Sequence, residues 1–124
     1  SLEEINAGLA ALGKRLGIDV DAFQSNHEGA IVDRLQKAIG AYDGVVINAA
    51  AYTHTSVAIR DAIAMLSVPV IEVHLSNIHK REAFRHTSLM AAVVTGQVVG
   101  LGPIGYQLAL RAIADMIPIG VAVA

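Results

Sequence analysis

Apolar positions along this chain alternate between two spacings. Leu2, Ile5, Leu9, Leu12 and Leu16 recur at helical spacing, with Glu3, Glu4, Lys14 and Arg15 between them. Ser1 suits the cap of that helix, the two acids suit its first turn, and Gly17 suits its end. Residues 18–24 then alternate as Ile-Asp-Val-Asp-Ala-Phe-Gln, which predicts a half-exposed strand. Ser25 to Gly29 is a loop opening a second helix, whose apolar stripe is Ile31, Val32, Leu35 and Ile39. Asp43-Gly44 is a turn, and Val45-Val46-Ile47 reads as a short, fully apolar strand. The loop Asn48 to Thr55 leads to a helix carrying Val57, Ile59, Ile63 and Leu66. A strand at 69–73, another at Gln97-Val98-Val99, and a last helix from Pro103 through Met116 complete the pattern. Ile117 to Ala124 is apolar apart from its glycine.

Strands alternating with helices predict an α/β fold, with about four strands in a parallel sheet covered on both faces. The 124 residues fit one domain with a real core. Apolar residues make up 54% but aromatics only 4%, so that core must be aliphatic. Nine basic against eleven acidic residues, a net charge of -2, argue against a nucleic-acid or polybasic membrane surface. The absence of cysteine removes disulfide and thiol chemistry and is compatible with the cytoplasm. No apolar run approaches the roughly 18 residues of a spanning helix, and Ser1 onward shows no basic-then-apolar signal pattern.

Polar side chains gather where strands end. Asn26, His27 and Glu28 form one group; Asn48, Tyr52, Thr53, His54 and Thr55 a second; His74, Ser76, Asn77, His79, Arg85 and His86 a third. In a parallel sheet, loops that follow strands converge on one edge, where such folds place their chemistry. Asn, Ser and Thr also cap helices, but three histidine-containing groups at one edge exceed what capping needs. Glu72 and His74 stand two apart, so a strand puts them on one face. A carboxylate beside an imidazole fixes its tautomer and raises its basicity, which suits a general acid or base.

Other chemistries are weaker. His74 and His79 are five apart and His79 and His86 seven apart, neither the helical pairing of a zinc site, so no metal is expected. Gly100-Leu101-Gly102-Pro103-Ile104-Gly105 spells a dinucleotide-loop pattern, but only 19 residues follow it, and Pro103 removes an amide. It reads as a tight strand-to-helix turn. Lys14 and Lys37 lie on exposed helix faces and Lys80 in a charged run, so Schiff-base chemistry has no apolar setting.

These runs resemble the type II 3-dehydroquinate dehydratases. The matching segments are Phe23-Gln24-Ser25-Asn26-His27-Glu28-Gly29; Ile47-Asn48 with Tyr52-Thr53-His54-Thr55-Ser56-Val57-Ala58 and Arg60-Asp61-Ala62; Glu72 to His79 with Arg81-Glu82, Phe84 and Arg85; and Gly96 with Val99 to Gly102 and Gly105-Tyr106. The resemblance spans residues 1–116. It implies a flavodoxin-like three-layer sandwich with a parallel sheet. It also implies a cytoplasmic lyase of the shikimate or quinate pathway, in the former case serving aromatic amino acid biosynthesis. The implied reaction is the trans-dehydration of 3-dehydroquinate to 3-dehydroshikimate through an enolate, with no cofactor and no metal. The implied assembly is a dodecamer built from trimers, with no nucleic-acid or membrane partner.

By the same resemblance His74 is the proton donor to the leaving hydroxyl and Glu72 supports it. Asn48 holds the substrate, and His54 and Arg85 bind its hydroxyls. Leu75 and Ser76 grip its carboxylate through amides and a hydroxyl, and Asp61 is contributed from a neighbouring subunit.

The chain departs from the family pattern in three places. The family opens with a central strand and then a mobile lid carrying a catalytic arginine and the proton-abstracting tyrosine, and none of that precedes Ser1. The domain is therefore expected to be incomplete at its N-terminus, with the base assigned to none of Tyr42, Tyr52 and Tyr106. Without that strand, the exposed edges would be an aggregation hazard, unless Ile117 to Val123 occupies the place. Second, Asn48 is followed by Ala49-Ala50-Ala51 where the family has proline or glycine, which could shift the loop. Third, Ile117–Ala124 runs past the family's usual end. The alternative is a catalytically impaired ligand-binding or assembly shell lacking the lid tyrosine and arginine. A receiver-like or flavin-binding module lacks both the acidic cluster and the phosphate loop it would need.

Overall fold

The computed structural model describes residues 1–117, so the strand considered for Ile117 to Val123 lies outside the described residues apart from Ile117. Helices α1 (Leu2–Leu16), α2 (Glu28–Ala38), α3 (Val57–Ala64) and α4 (Ile104–Met116) surround strands β1 (Val45–Ile47), β2 (Val70–His74) and β3 (Gly96–Val99). Short 3₁₀ turns at Ala50–His54, Ile78–Lys80 and Ala83–Arg85 line the route between them. The sheet runs β1-β2-β3 and is parallel throughout. Ile47 lies beside Glu72 on one side of β2, and Gln97 lies beside Glu72 on the other.

Local chemistry explains the helix ends. Ser1 Oγ accepts from the Glu4 amide at 3.2 Å, and Ser56 Oγ accepts from the Ile59 amide at 2.9 Å. Each satisfies an amide that the first helical turn leaves without a carbonyl.

All five residues of β2 are buried, because helices cover both faces of the strand. Alternation divides its side chains between two apolar clusters. Val70 joins Ile47, Leu35 of α2, Ile59, Ala62 and Ile63 of α3, and Met90. Ile71 and Val73 join Ala109 and Ile113 of α4 on the opposite face. With α1 packed on α4 and α2 on α3, this is a three-layer α/β sandwich. The core is aliphatic throughout, as the 4% aromatic content requires.

The strand predicted at 18–24 is not observed. Those residues join no ladder, and β1 pairs only with β2 among the described residues. The alternation instead lays the segment along the end of α1. The Ile18 amide donates to Gly13 O at 2.8 Å, and Val20 Cγ2 fills the space over Gly13, where a Cβ would come within 2.7 Å of it. An alternating pattern specifies an amphipathic extended segment; only a neighbouring strand makes it a strand.

Candidate active site

Glu72 and His74 emerge side by side at the carboxyl end of β2, on the face of Val70. They are 1% and 5% exposed. His74 Nε2 lies 2.5 Å from Glu72 Oε2, Ser88 Oγ donates to the same oxygen at 2.7 Å, and Gln97 Nε2 donates to Oε1 at 2.8 Å. Burial alone would raise the Glu72 carboxyl. The hydrogen bonds from His74, Ser88 and Gln97, with the charge of His74, outweigh it and hold the carboxyl below its ordinary value. With Nε2 engaged by Glu72, Nδ1 is the ring nitrogen left for chemistry.

The glycine run after β3 braces this strand end. Gly100 and Gly102 adopt left-handed φ of 86° and 70°, and their amides donate to the carbonyls of His74 at 3.0 Å and Leu75 at 2.9 Å. A Cβ on Gly100 would come within 3.1 Å of Asn77, so the two loops approach backbone to side chain. These amides are spent inside the protein, which settles the dinucleotide-like spelling as the tight turn that the sequence suggests.

A cavity of about 230 Å³ opens against His74. Asn48, His54, Leu75, Ser76 and Arg85 line it with His74, so six of the eight residues singled out from sequence converge there. Glu72 is the seventh, one step behind the cavity wall. Asn48 leaves β1 with its amide fixed at both ends: Oδ1 accepts from the Ala50 amide at 2.9 Å, and Nδ2 donates to the Tyr106 hydroxyl at 2.9 Å. His54 Nδ1 donates to the Thr87 carbonyl at 2.8 Å, because a carbonyl only accepts, which leaves Nε2 free. Arg85 Nε donates to Glu82 Oε2 at 2.5 Å, and its guanidinium carbon lies 4.9 Å from the centroid of the Phe84 ring. That hydrogen bond is the main cause holding the Glu82 carboxyl below its ordinary value.

Asp61 stands apart. It lies on α3, 65% exposed, with its Oδ1 3.2 Å from the Arg60 guanidinium. Sequence reasoning missed Arg81, Ala50, Ala51 and Ile78, which also line the cavity. Arg81 lay in a run of charges that reads equally well as a solvated surface; the alanines carry no chemical signal.

Three tyrosines are engaged elsewhere. Tyr42 donates to Asp21 at 2.5 Å, Tyr52 donates to the Asn26 carbonyl at 2.9 Å, and Tyr106 accepts from Asn48. None of them lines the cavity. The Tyr52 bond ties the Asn26 loop to the Asn48 loop, but Asn26, His27 and Glu28 stay outside the cavity. His79 and His86 face each other at 6.1 Å between ring centroids, also outside it. Among the described residues, no three His, Cys, Asp or Glu side chains gather as metal ligands would, and no helix is long and apolar enough to cross a membrane.

Comparison with known proteins gives one family. A sequence model described as "Dehydroquinase class II" matches residues 1–114. The chain is 57% identical over 109 residues to a protein named 3-dehydroquinate dehydratase from Sulfurovum sp. (strain NBC37-1), covering 88% of this chain and 67% of that one. It is 55% identical over 117 residues to a protein of the same name from Geotalea daltonii, covering 94% and 81%. The crystal structure of the type II dehydroquinase from Propionibacterium acnes superposes with a TM-score of 0.88 at 43% identity, covering 91% of this chain and 83% of that one.

Proposed function

The chain belongs to the class II dehydroquinase family, and on that premise we propose that it dehydrates 3-dehydroquinate to 3-dehydroshikimate in the shikimate pathway, with His74 as the acid. One observation carries the assignment. A buried histidine, held through Nε2 by a buried carboxylate, turns its other ring nitrogen to a cavity furnished with an amide, a second imidazole and a guanidinium. That set suits a small, polyhydroxylated anion and one proton transfer.

The reaction balances around that proton. A base removes hydrogen from the carbon beside the ketone, and the electron pair forms the enolate. Collapse of the enolate breaks the bond to the ring hydroxyl, which takes a proton from Nδ1 of the doubly protonated His74 ring and leaves as water, and the ring is left neutral with its hydrogen on Nε2. His54 Nε2 and Arg85 hold the remaining hydroxyls, and Asn48 holds the substrate through the Nδ2 hydrogen that Tyr106 does not take.

Backbone geometry supports the assignment of Leu75 and Ser76 to the substrate carboxylate. A trans peptide points its N–H opposite to its C=O. The glycine amides hold the carbonyls of His74 and Leu75, so the amides of Leu75 and Ser76 point away from the glycine loop. Two parallel donors beside the Ser76 hydroxyl are what a carboxylate needs.

The exposed position of Asp61 is in keeping with a residue lent to a neighbouring subunit, within a cytoplasmic dodecamer built from trimers. Sedimentation of the purified protein tests that assembly, and a monomer would refute it. The domain is read as one dehydroquinase-like unit over 1–124, with the proton-abstracting base assigned to none of Tyr42, Tyr52 and Tyr106. Formation of the conjugated product from 3-dehydroquinate tests the activity. In His74→Ala, turnover should vanish while 3-dehydroquinate still raises the Tm. Unchanged turnover in that variant would end the assignment of His74.

A further inference from the structure

The hydrogen bonds around Glu72 have a direction. The amides of Met90 and Ala91 can only donate, and both reach Ser88 Oγ at 3.1 Å. With its lone pairs occupied, the Ser88 hydroxyl must send its own hydrogen to Glu72 Oε2. On the other side, Gln97 stands beside Glu72 in the parallel ladder and donates to Oε1. Both carboxylate oxygens thus receive hydrogens from neutral partners, which describes an ionised carboxylate. The hydrogen between Glu72 and His74 therefore belongs to Nε2.

We propose that Ser88 and Gln97 are positioning residues of the dehydration: they hold Glu72 as an oriented anion beside the doubly protonated His74 ring, so that Nε2 keeps its hydrogen while Nδ1 gives its own to the leaving hydroxyl. Neither side chain touches the cavity. Gln97 is solvent-exposed at the sheet edge, where the core makes no demand for it. His74 is the titratable group facing the Glu72 carboxylate, while Ser88 and Gln97 are neutral, so the orientation of the carboxylate rests on these two donors. If Oε1 were free to accept a proton or rotate, the His74 imidazolium would lose its counter-charge and Nε2 its fixed acceptor, and the ring could give up the Nε2 hydrogen instead of the one on Nδ1.

The proposal rests on the reading of His74 as the acid, and the test separates the two. Turnover of 3-dehydroquinate against pH and the ring ¹⁵N shifts of His74 are measured in the unmodified protein, Ser88→Ala, Ser88→Thr and Gln97→Leu. The unmodified ring should show the Nε2–H tautomer when neutral. Ser88→Ala and Gln97→Leu should lower kcat by about 10- to 100-fold with little change in KM, in line with the loss of outer partners of other oriented histidines. Their acid limb should move to higher pH, because Glu72 has lost a donor that kept it ionised, and their ring shifts should report mixed tautomers. Ser88→Thr, which keeps the hydroxyl, should restore all three readouts. The exposed Gln97 site keeps the test open should Ser88→Ala fail to fold. Wild-type kcat, acid limb and tautomer in both variants would overturn the proposal while leaving the dehydration intact. An unmodified protein without turnover would sink the dehydration instead, and the ring shifts alone would then decide the positioning role.

Discussion

Ala50 is the one non-glycine residue at positive φ among the described residues, at 52°. It stands in the alanine run after Asn48, and its amide closes a turn onto Asn48 Oδ1. The backbone there suits glycine. Holding an L-residue in the left-handed region costs about 1–2 kcal/mol, from Cβ crowding the following carbonyl. Glycine gives back about 0.5–1 kcal/mol through its greater freedom when unfolded. Ala50→Gly should therefore stabilise the protein by about 0.5–1 kcal/mol. For a chain of 124 residues that is a rise in Tm of roughly 2–4 °C. Ala50→Val should move the other way, because a β-branched side chain tolerates this region least. Thermal unfolding followed by circular dichroism reads both variants. Urea unfolding confirms that the midpoint moves while the slope does not. A lower Tm for Ala50→Gly, or a Tm for Ala50→Val at or above that of the unmodified protein, would mean that Ala50 does not sit in the left-handed region and that the Asn48 turn is built differently.

Two further outcomes follow from Glu72. Glu72→Gln should fold with a small loss of stability, since Gln97 can turn its amide to accept from the new one, yet lose about 10- to 100-fold in kcat because the anion behind His74 is gone; a wild-type kcat would contradict the role given to Glu72. Stability should also depend on acid in a defined direction. The Glu72 carboxyl sits below its ordinary value in the folded chain, so the stability it contributes is fully present above the ordinary carboxylate range and is lost as pH falls through the lower folded value. Urea midpoints should therefore drop more steeply below about pH 4 in the unmodified protein than in Glu72→Gln, and parallel curves would exclude Glu72 as a source of acid lability.

The sequence made the helices and the buried strands legible for physical reasons. The α1 boundaries carry a serine cap and a terminal glycine, and β2 is an unbroken apolar run up to Glu72, so residue-level signals and tertiary burial agree. The false strand at 18–24 shows where that agreement ends. Its alternation was real, but pairing is a property of the neighbour as well as of the segment. The candidate site divides the same way. Histidines and the acid announced themselves by spacing, whereas Arg81 hid in a charged run, and Ser88 in a loop that turns back on β2. Gln97 was the one polar residue in an apolar strand. That signal gains meaning only through the register that sets it beside Glu72.

That register makes the site a property of β2, β3 and α4 together. Gly105 lets α4 settle onto the sheet: a Cβ there would press to 3.3 Å from Val73 and 3.4 Å from Val98, one on each strand. The helix thus lies across the β2–β3 seam and resists sliding of one strand against the other. A slip of one residue would turn Gln97 to the α4 face, away from Glu72. The same slip would draw Gly100 and Gly102 off the carbonyls of His74 and Leu75, and so release the two amides aimed by those carbonyls. His74 and the amides of Leu75 and Ser76 would be displaced together, although neither Gly100, Gly102 nor Gly105 lines the cavity. The glycine run that spells a phosphate loop therefore spends its amides on the neighbouring strand end and fixes the backbone at His74 and Leu75.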